Sequence, residues 1–163
     1  KRAAETLFAD YNRVYATDVK IARIFNTFGP RMDQNDGRVI SNFICQALSD
    51  IPLTIYGDGE QTRSFCYVAD TVMGLISLMN TRYNKPVNIG NTQTKSIKTL
   101  AETIVQKLNS NSTIKYMPLP EDDPKQRIPD ITLAKKLFNF EPSYSFDSGL
   151  EETVVYFKKK FGV

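Results

Sequence analysis

A helical apolar stripe that runs directly into a β-branched segment constrains the fold of this chain most. Over residues 2–17, Ala3, Leu7, Phe8, Tyr11, Val14 and Tyr15 recur at three- and four-residue spacing, with Glu5, Asp10 and Arg13 elsewhere on the cylinder. Val19-Lys20-Ile21-Ala22-Arg23-Ile24-Phe25 follows at once, with the residue types and length of a partly buried strand. A helix feeding straight into a strand points to a βα repeat and a parallel sheet. The expected class is therefore α/β. Ligands of open parallel sheets bind beyond the carboxyl ends of the strands. Asn26, where this strand ends, is the first functional candidate.

The pattern continues as short elements separated by turns. Gly29-Pro30 and the polar run 33–37 precede a helix over 39–48, which Pro52 stops. A strand over 53–56 closes on Gly57-Asp58-Gly59, and a second apolar strand is expected over 64–68. Asp70 is expected to cap a helix over 71–80. A strand over 86–90 follows, then a helix through Leu108 capped by Ser96. A strand over 114–119 enters a Pro-rich acidic loop over 118–129, and helices are expected over 132–138 and 148–161. The basic tail Lys158-Lys159-Lys160 fits a solvated helix end favoured by the helix dipole.

Composition removes several functions. The 163 residues include no histidine, so imidazole catalysis and histidine metal sites are excluded, and no metal site is expected. The net charge of +3 is mild and gives no reason to expect nucleic acid as a partner. Cys45 and Cys66 stand in apolar surroundings without metal spacing, which fits two buried thiols in a reducing compartment. A cytoplasmic location is expected, or the Golgi lumen if a membrane anchor precedes this stretch. The chain opens Lys-Arg-Ala-Ala-Glu, in mid-helix and without Met, as a piece of a longer protein would.

The remaining candidates suit a long, doubly charged, partly flat ligand. Arg38 precedes a helix, Arg63 follows a glycine turn, and Arg127 lies in the loop after a strand. Arginine grips phosphate through paired, charge-assisted N–H bonds; the plainer reading is three solvated loop arginines. Asn26 either caps a turn or bonds a sugar or phosphate. Tyr56 and Phe43 either stack on a planar base or belong to the core. Asp122 and Asp123 either form an acid–base pair or are solvated beside Arg127.

Three runs carry a resemblance. They are R-I-F-N-T-F-G-P-R-M-D-Q-N-D-G-R-V-I-S-N-F, L-T-I-Y-G-D-G-E-Q-T-R-S-F-C-Y-V-A-D and D-D-P-K-Q-R-I-P-D-I. Together they resemble the UDP-glucuronic acid decarboxylases of the extended short-chain dehydrogenase/reductase superfamily, over essentially the whole chain. The first run's opening is shared with sugar-nucleotide dehydratases and epimerases; N-D-G-R-V-I-S-N-F and R-I-P-D-I are the more specific parts.

The resemblance implies the C-terminal portion of an NAD-binding Rossmann-like fold plus a smaller substrate lobe. Residues 1–26 would be the last helix and strand of the Rossmann portion, and 27–163 mainly the lobe. It implies NAD as cofactor, a UDP-sugar as substrate and a homodimer for the full-length enzyme. Lys1 matches the catalytic, cofactor-binding end of the family's Tyr-x-x-x-Lys motif, where the lysine holds the nicotinamide ribose and lowers the pKa of the tyrosine upstream. Asn26 matches a UDP-sugar contact, and Thr27 and Arg38 match positions near cofactor or substrate. Val39, Ile40, Ser41, Asn42 and Phe43 match a segment lining the nucleotide site. Tyr56 matches the residue beside the uracil, with Gln61 a further substrate-binding position in the same loop; Arg63 matches a diphosphate-binding arginine, and Arg127 an arginine of the substrate pocket with a catalytic role as acid or sugar anchor. The glycine-rich dinucleotide cradle is not among these residues. The full-length enzyme would decarboxylate UDP-glucuronate through a 4-keto sugar, and these residues alone would be inactive. Two alternatives stay open: a sugar-nucleotide dehydratase or epimerase, and a non-catalytic nucleotide-binding module.

Overall fold

The computed structural model describes residues 1–119 and 126–163. Six helices and nine short strands are present among them. The first helix, α1 (Arg2–Tyr15), ends as Ala16 turns left-handed at φ 52°. It feeds β1 (Ile21–Ile24), which pairs in parallel with β6 (Pro86–Ile89). Each of these strands crosses over through helical structure before its partner arrives, the connection that parallel pairing requires.

The rest builds around three further small sheets. β2 (Thr27–Phe28) pairs in parallel with β5 (Cys66–Tyr67), and β3 (Leu53–Tyr56) in parallel with β8 (Ile114–Met117). The third sheet has β4 (Thr62–Ser64) at its centre, antiparallel to β7 (Thr94–Ser96) and parallel to β9 (Gln126–Arg127).

Packing divides between two apolar clusters. The larger joins α2 (Val39–Leu48), α4 (Ile97–Leu108) and α6 (Phe146–Phe161) to β2, β3 and β5, with Phe28, Phe43, Leu53, Leu100, Leu150 and Phe157 fully buried. The smaller lies on β1 and β6 under α3 (Val68–Met79) and α5 (Thr132–Phe138), around Leu78, Val87, Ile89, Ala134 and Phe140. Residues beyond 26 thus contribute to both clusters. The approach of α6 to β2 and β5 requires Gly149, where a Cβ would stand 2.6 Å from the Tyr67 ring and 3.0 Å from that of Phe28.

Several sequence expectations are corrected. The strand expected over 64–68 is two strands, because β4 bonds to β7 and β9 whereas β5 bonds to β2, with Phe65 between them. α3 begins at Val68 with Tyr67 at its N-cap, so Asp70 is not its cap. The Asp70 carboxylate is buried and accepts from Ser143 N at 3.0 Å, Ser143 Oγ at 2.9 Å and Tyr144 N at 3.1 Å. It fastens the segment that leads into α6. That helix begins at Phe146, capped by Ser145 rather than starting at Ser148. Arg63 and Arg127, expected in loops, lie in β4 and β9. The apolar face of α1 does not enter a core: Leu7, Phe8, Tyr11, Val14 and Tyr15 are all exposed.

Candidate functional site

Most of the candidate residues lie along one band at strand ends. Asn26 follows β1, and its Nδ2 donates to the Ser64 carbonyl at 3.1 Å while its own carbonyl accepts from Cys66 N at 2.8 Å. The end of β1 is thereby tied to the junction of β4 and β5. Thr27 directs its hydroxyl inward, to the Phe25 carbonyl at 2.9 Å and the Thr71 hydroxyl at 3.0 Å. Arg38, exposed at the N-cap of α2, reaches back so that Nη1 is 3.5 Å from the Thr27 carbonyl. Its Nε pairs with Asp36 at 3.5 Å. Asn26, Thr27 and Arg38 are therefore neighbours.

The first turn of α2 divides by face. Ile40, Ser41 and Phe43 are buried, so the Phe43 ring belongs to the core and offers no face to a ligand. The Ser41 hydroxyl donates to Asp36 Oδ1 at 2.6 Å. Val39 and Asn42 are half-buried and present their side chains nearer the surface.

The second part of the band centres on β4. Tyr56 ends β3 with half its surface exposed, opposite Met117 in register. Gln61 Nε2 donates to the Tyr56 carbonyl at 2.7 Å, and the Gln61 carbonyl accepts from Ile97 N at 3.1 Å. Two residues on, Arg63 is the register partner of Arg127 on one side and Lys95 on the other. Ser64 Oγ donates to the Arg127 carbonyl at 3.4 Å. The order Arg38–Thr27–Asn26–Ser64–Arg63–Arg127 is thus a continuous chain of contacts.

This electrostatic arrangement has a chemical consequence. Like charges directly opposite on neighbouring strands repel, and an anionic group lying across them lowers that repulsion. Lys95 was not legible as part of this set. It precedes a helix cap in an unremarkable polar run, and only the β4–β7 register brings it beside Arg63.

Lys1 stands apart at the exposed N-cap of α1, whose Glu5 is held by Arg23 of β1 through two 2.7 Å bonds. Arg23 consequently has a structural partner, and its guanidinium keeps the Glu5 carboxyl below the ordinary glutamate value. Asp122 and Asp123 lie outside the described residues. Burial pushes both thiols up, Cys66 beside Thr71 and Cys45 on α2, so neither is poised as a thiolate. No cluster of metal-binding side chains occurs among the described residues.

The family model described as "NAD dependent epimerase/dehydratase family" matches residues 1–90. UDP-glucuronic acid decarboxylase 1 of Xenopus tropicalis is 50% identical over 160 residues, covering 98% of this chain and 38% of the relative. UDP-glucuronic acid decarboxylase 5 of Arabidopsis thaliana is 48% identical over 163 residues, covering 100% of this chain and 48% of the relative. The chain thus spans less than half the length of these relatives.

Solved structures agree in fold. A UDP-glucose 4-epimerase from Thermotoga maritima with UDP-glucose superimposes at TM-score 0.93 with 29% identity, over 99% of this chain and 52% of that one. The UDP-glucuronic acid 4-epimerase of Bacillus cereus in complex with UDP-glucuronic acid and NAD superimposes at 0.89 with 31% identity, over 98% and 51%. With more than half its residues matched by the family model and its α/β fold shared with these enzymes, the chain belongs to the NAD dependent epimerase/dehydratase family.

Proposed function

We propose that the full-length protein containing this chain decarboxylates UDP-glucuronate to UDP-xylose, and that this chain supplies the wall that grips the UDP. The observation that carries the reading is the pairing of Arg63 with Arg127 across β4 and β9, next to Gln61 and the exposed Tyr56. Two arginines at one register position on adjacent strands, Arg63 with Nη1 donating to the Thr62 carbonyl at 2.9 Å, suit the two phosphates of a nucleoside diphosphate, and an exposed aromatic suits its base. The decarboxylase relatives, at 48–50% identity, support this substrate over those of the less similar epimerases.

The residues present fit part of a dinucleotide site. Arg38 lies over the Thr27 carbonyl just past the carboxyl end of β1, and Lys1 heads the helix docked on that strand. Lys1 and Arg38 would hold the nicotinamide side of NAD, with Thr27, its hydroxyl turned inward, placing Arg38 through its carbonyl. When bound, NAD supplies hydride acceptance from C4 of the sugar and its later return. Lys1 would hold the ribose and favour the ionised form of an upstream tyrosine. Asn26 would position the sugar, with its amide already oriented by Ser64. Arg127 would hold the sugar end of the diphosphate, and a carboxylate β to a ketone departs as carbon dioxide without a dedicated metal. The exposed face of α1 would be covered by a second subunit in a homodimer.

The test is to supply the full-length protein with NAD and UDP-glucuronate and follow carbon dioxide release and product identity. UDP-xylose is the expected product. UDP-galacturonate with no carbon dioxide would make the protein an epimerase, and turnover of UDP-glucose alone would place it with the dehydratases or epimerases of neutral sugars.

A further inference from the structure

Lys95 stands directly across from Arg63 on β7, as Arg127 does on β9. Cross-strand register partners project from the same face of a sheet. The sheet β7-β4-β9 therefore carries Lys95, Arg63 and Arg127 as one transverse row, one cation per strand. Neighbouring strands are about 4.8 Å apart, so the row is roughly 10 Å wide.

The position of Lys95 is fixed from both sides. Ser96, the next residue, caps α4 by accepting from Thr99 N at 3.1 Å, and Ile97 N bonds the Gln61 carbonyl. The Lys95 ammonium rests 4.8 Å from the centre of the Phe146 ring. That ring packs on Phe28 and Phe65, with centroids 5.2 and 6.0 Å away. Lys95 is half-buried, and among the described residues it makes no ion pair. A half-buried ammonium on an apolar floor is less screened than one in open water, so its field acts more strongly on a nearby anion.

We propose that Lys95 is a third phosphate-binding residue, completing a three-cation row for the diphosphate of the nucleotide sugar. This deepens the UDP-sugar reading above and rests on it. Lys95 acts as a compact point charge beside the arginine forks, and its place beyond Arg63 puts it on the side of the row away from Arg127.

The test uses the full-length protein as wild type, K95Q and K95R, with UDP as the probe. Calorimetric titration gives its affinity at low and high salt, and melting temperatures are taken without ligand. K95Q is expected to weaken UDP binding about five- to twenty-fold and to flatten its salt dependence. K95R is expected to stay within about threefold of wild type, and all three should melt alike without ligand. UDP affinity of K95Q within twofold of wild type would overturn the inference. So would a loss of affinity that comes with a lowered melting temperature and is not rescued by K95R, because Lys95 would then only support the Phe146 packing. If wild type binds UDP and K95Q is unchanged, only the role of Lys95 fails. If wild type does not bind UDP, the UDP-sugar reading fails and this inference with it.

Discussion

Arg63 and Arg127 are register partners on the parallel strands β4 and β9, although 63 residues separate them in the sequence. Neither strand exceeds three residues, and β9 has two. The pairing survives because Ser64 Oγ also donates to the Arg127 carbonyl, pinning the neighbouring position. Two cations are thereby held at one level of the sheet.

Loss of either arginine is expected to weaken UDP-sugar binding. Arg63→Ala in the full-length protein should cost about 1.5–3 kcal/mol of UDP binding, the scale of a hydrogen bond to a charged group. Arg127→Ala should cost a similar amount, and the double variant less than the sum, because both act on one diphosphate. Equilibrium titration with UDP checks this, and an unchanged affinity in R63A rejects its role.

Tyr67 makes the fold alkali-sensitive. Its ring is buried and its hydroxyl donates to Glu152; burial first, and then that bond, push its pKa from 10 to about 12. The folded state therefore favours the neutral phenol. That contribution is fully present below pH 10 and is lost as pH rises towards about 12, in total at most roughly 2–3 kcal/mol and less where solvent screens the hydroxyl. Tyr67→Phe should be about 1 kcal/mol less stable than wild type at pH 8, for the lost hydrogen bond. The order should invert between pH 10 and about 12. Urea midpoints of the two proteins across this range decide it, since lysine titration is common to both.

At the other end of the pH scale, Glu5 ties α1 to β1. Arg23 holds the Glu5 carboxyl below its ordinary value of 4.5, so the attachment is fully present above that pH and is lost as pH falls through the lower, folded-state value. Protection factors of the α1 amides in the full-length protein, corrected for the intrinsic pH dependence of exchange, should fall on acidification, and Glu5→Gln should show the lower protection already at pH 7. Equal exchange in both proteins at pH 7 would remove the pair from the argument.

Gly149→Ala should destabilise the larger cluster despite the better helix propensity of alanine. The new methyl would meet the Tyr67 ring at 2.6 Å and the Phe28 ring at 3.0 Å, both buried with little room to retreat. Overpacking costs about 1–3 kcal/mol, against a propensity gain of roughly 0.5–1 kcal/mol. A melting temperature equal to or above wild type would show that the rings can shift after all.

Local signals carried the elements. The helix over 39–48, the strand over 53–56 and the helix over 132–138 stand within the bounds that periodicity and turn residues mark. Ser96 caps α4 as its place before an apolar stripe implies. These features depend on residues within one or two turns of each other, where spacing and backbone preference act directly. The same holds for Asn26 at the carboxyl end of β1, a position set by where the apolar run stops.

Elements of two or three residues left no such trace. β2, β7 and β9 have too few residues for alternation to register, and they exist because a partner strand supplies their hydrogen bonds. Asp70 looked like a helix cap because caps are local, yet its carboxylate serves Ser143 and Tyr144, far along the chain. Phe43 and Tyr56 were equivalent as aromatics until packing buried one and left the other half-exposed.

The amino-acid sequence by itself determined the α/β class, the placement of the longer helices and strands, and the residue types able to grip a diphosphate. Only the tertiary structure decided which of those cations stand together. Register across β7, β4 and β9 aligns Lys95, Arg63 and Arg127, and register is a property of non-local hydrogen bonds that no single stretch of sequence contains.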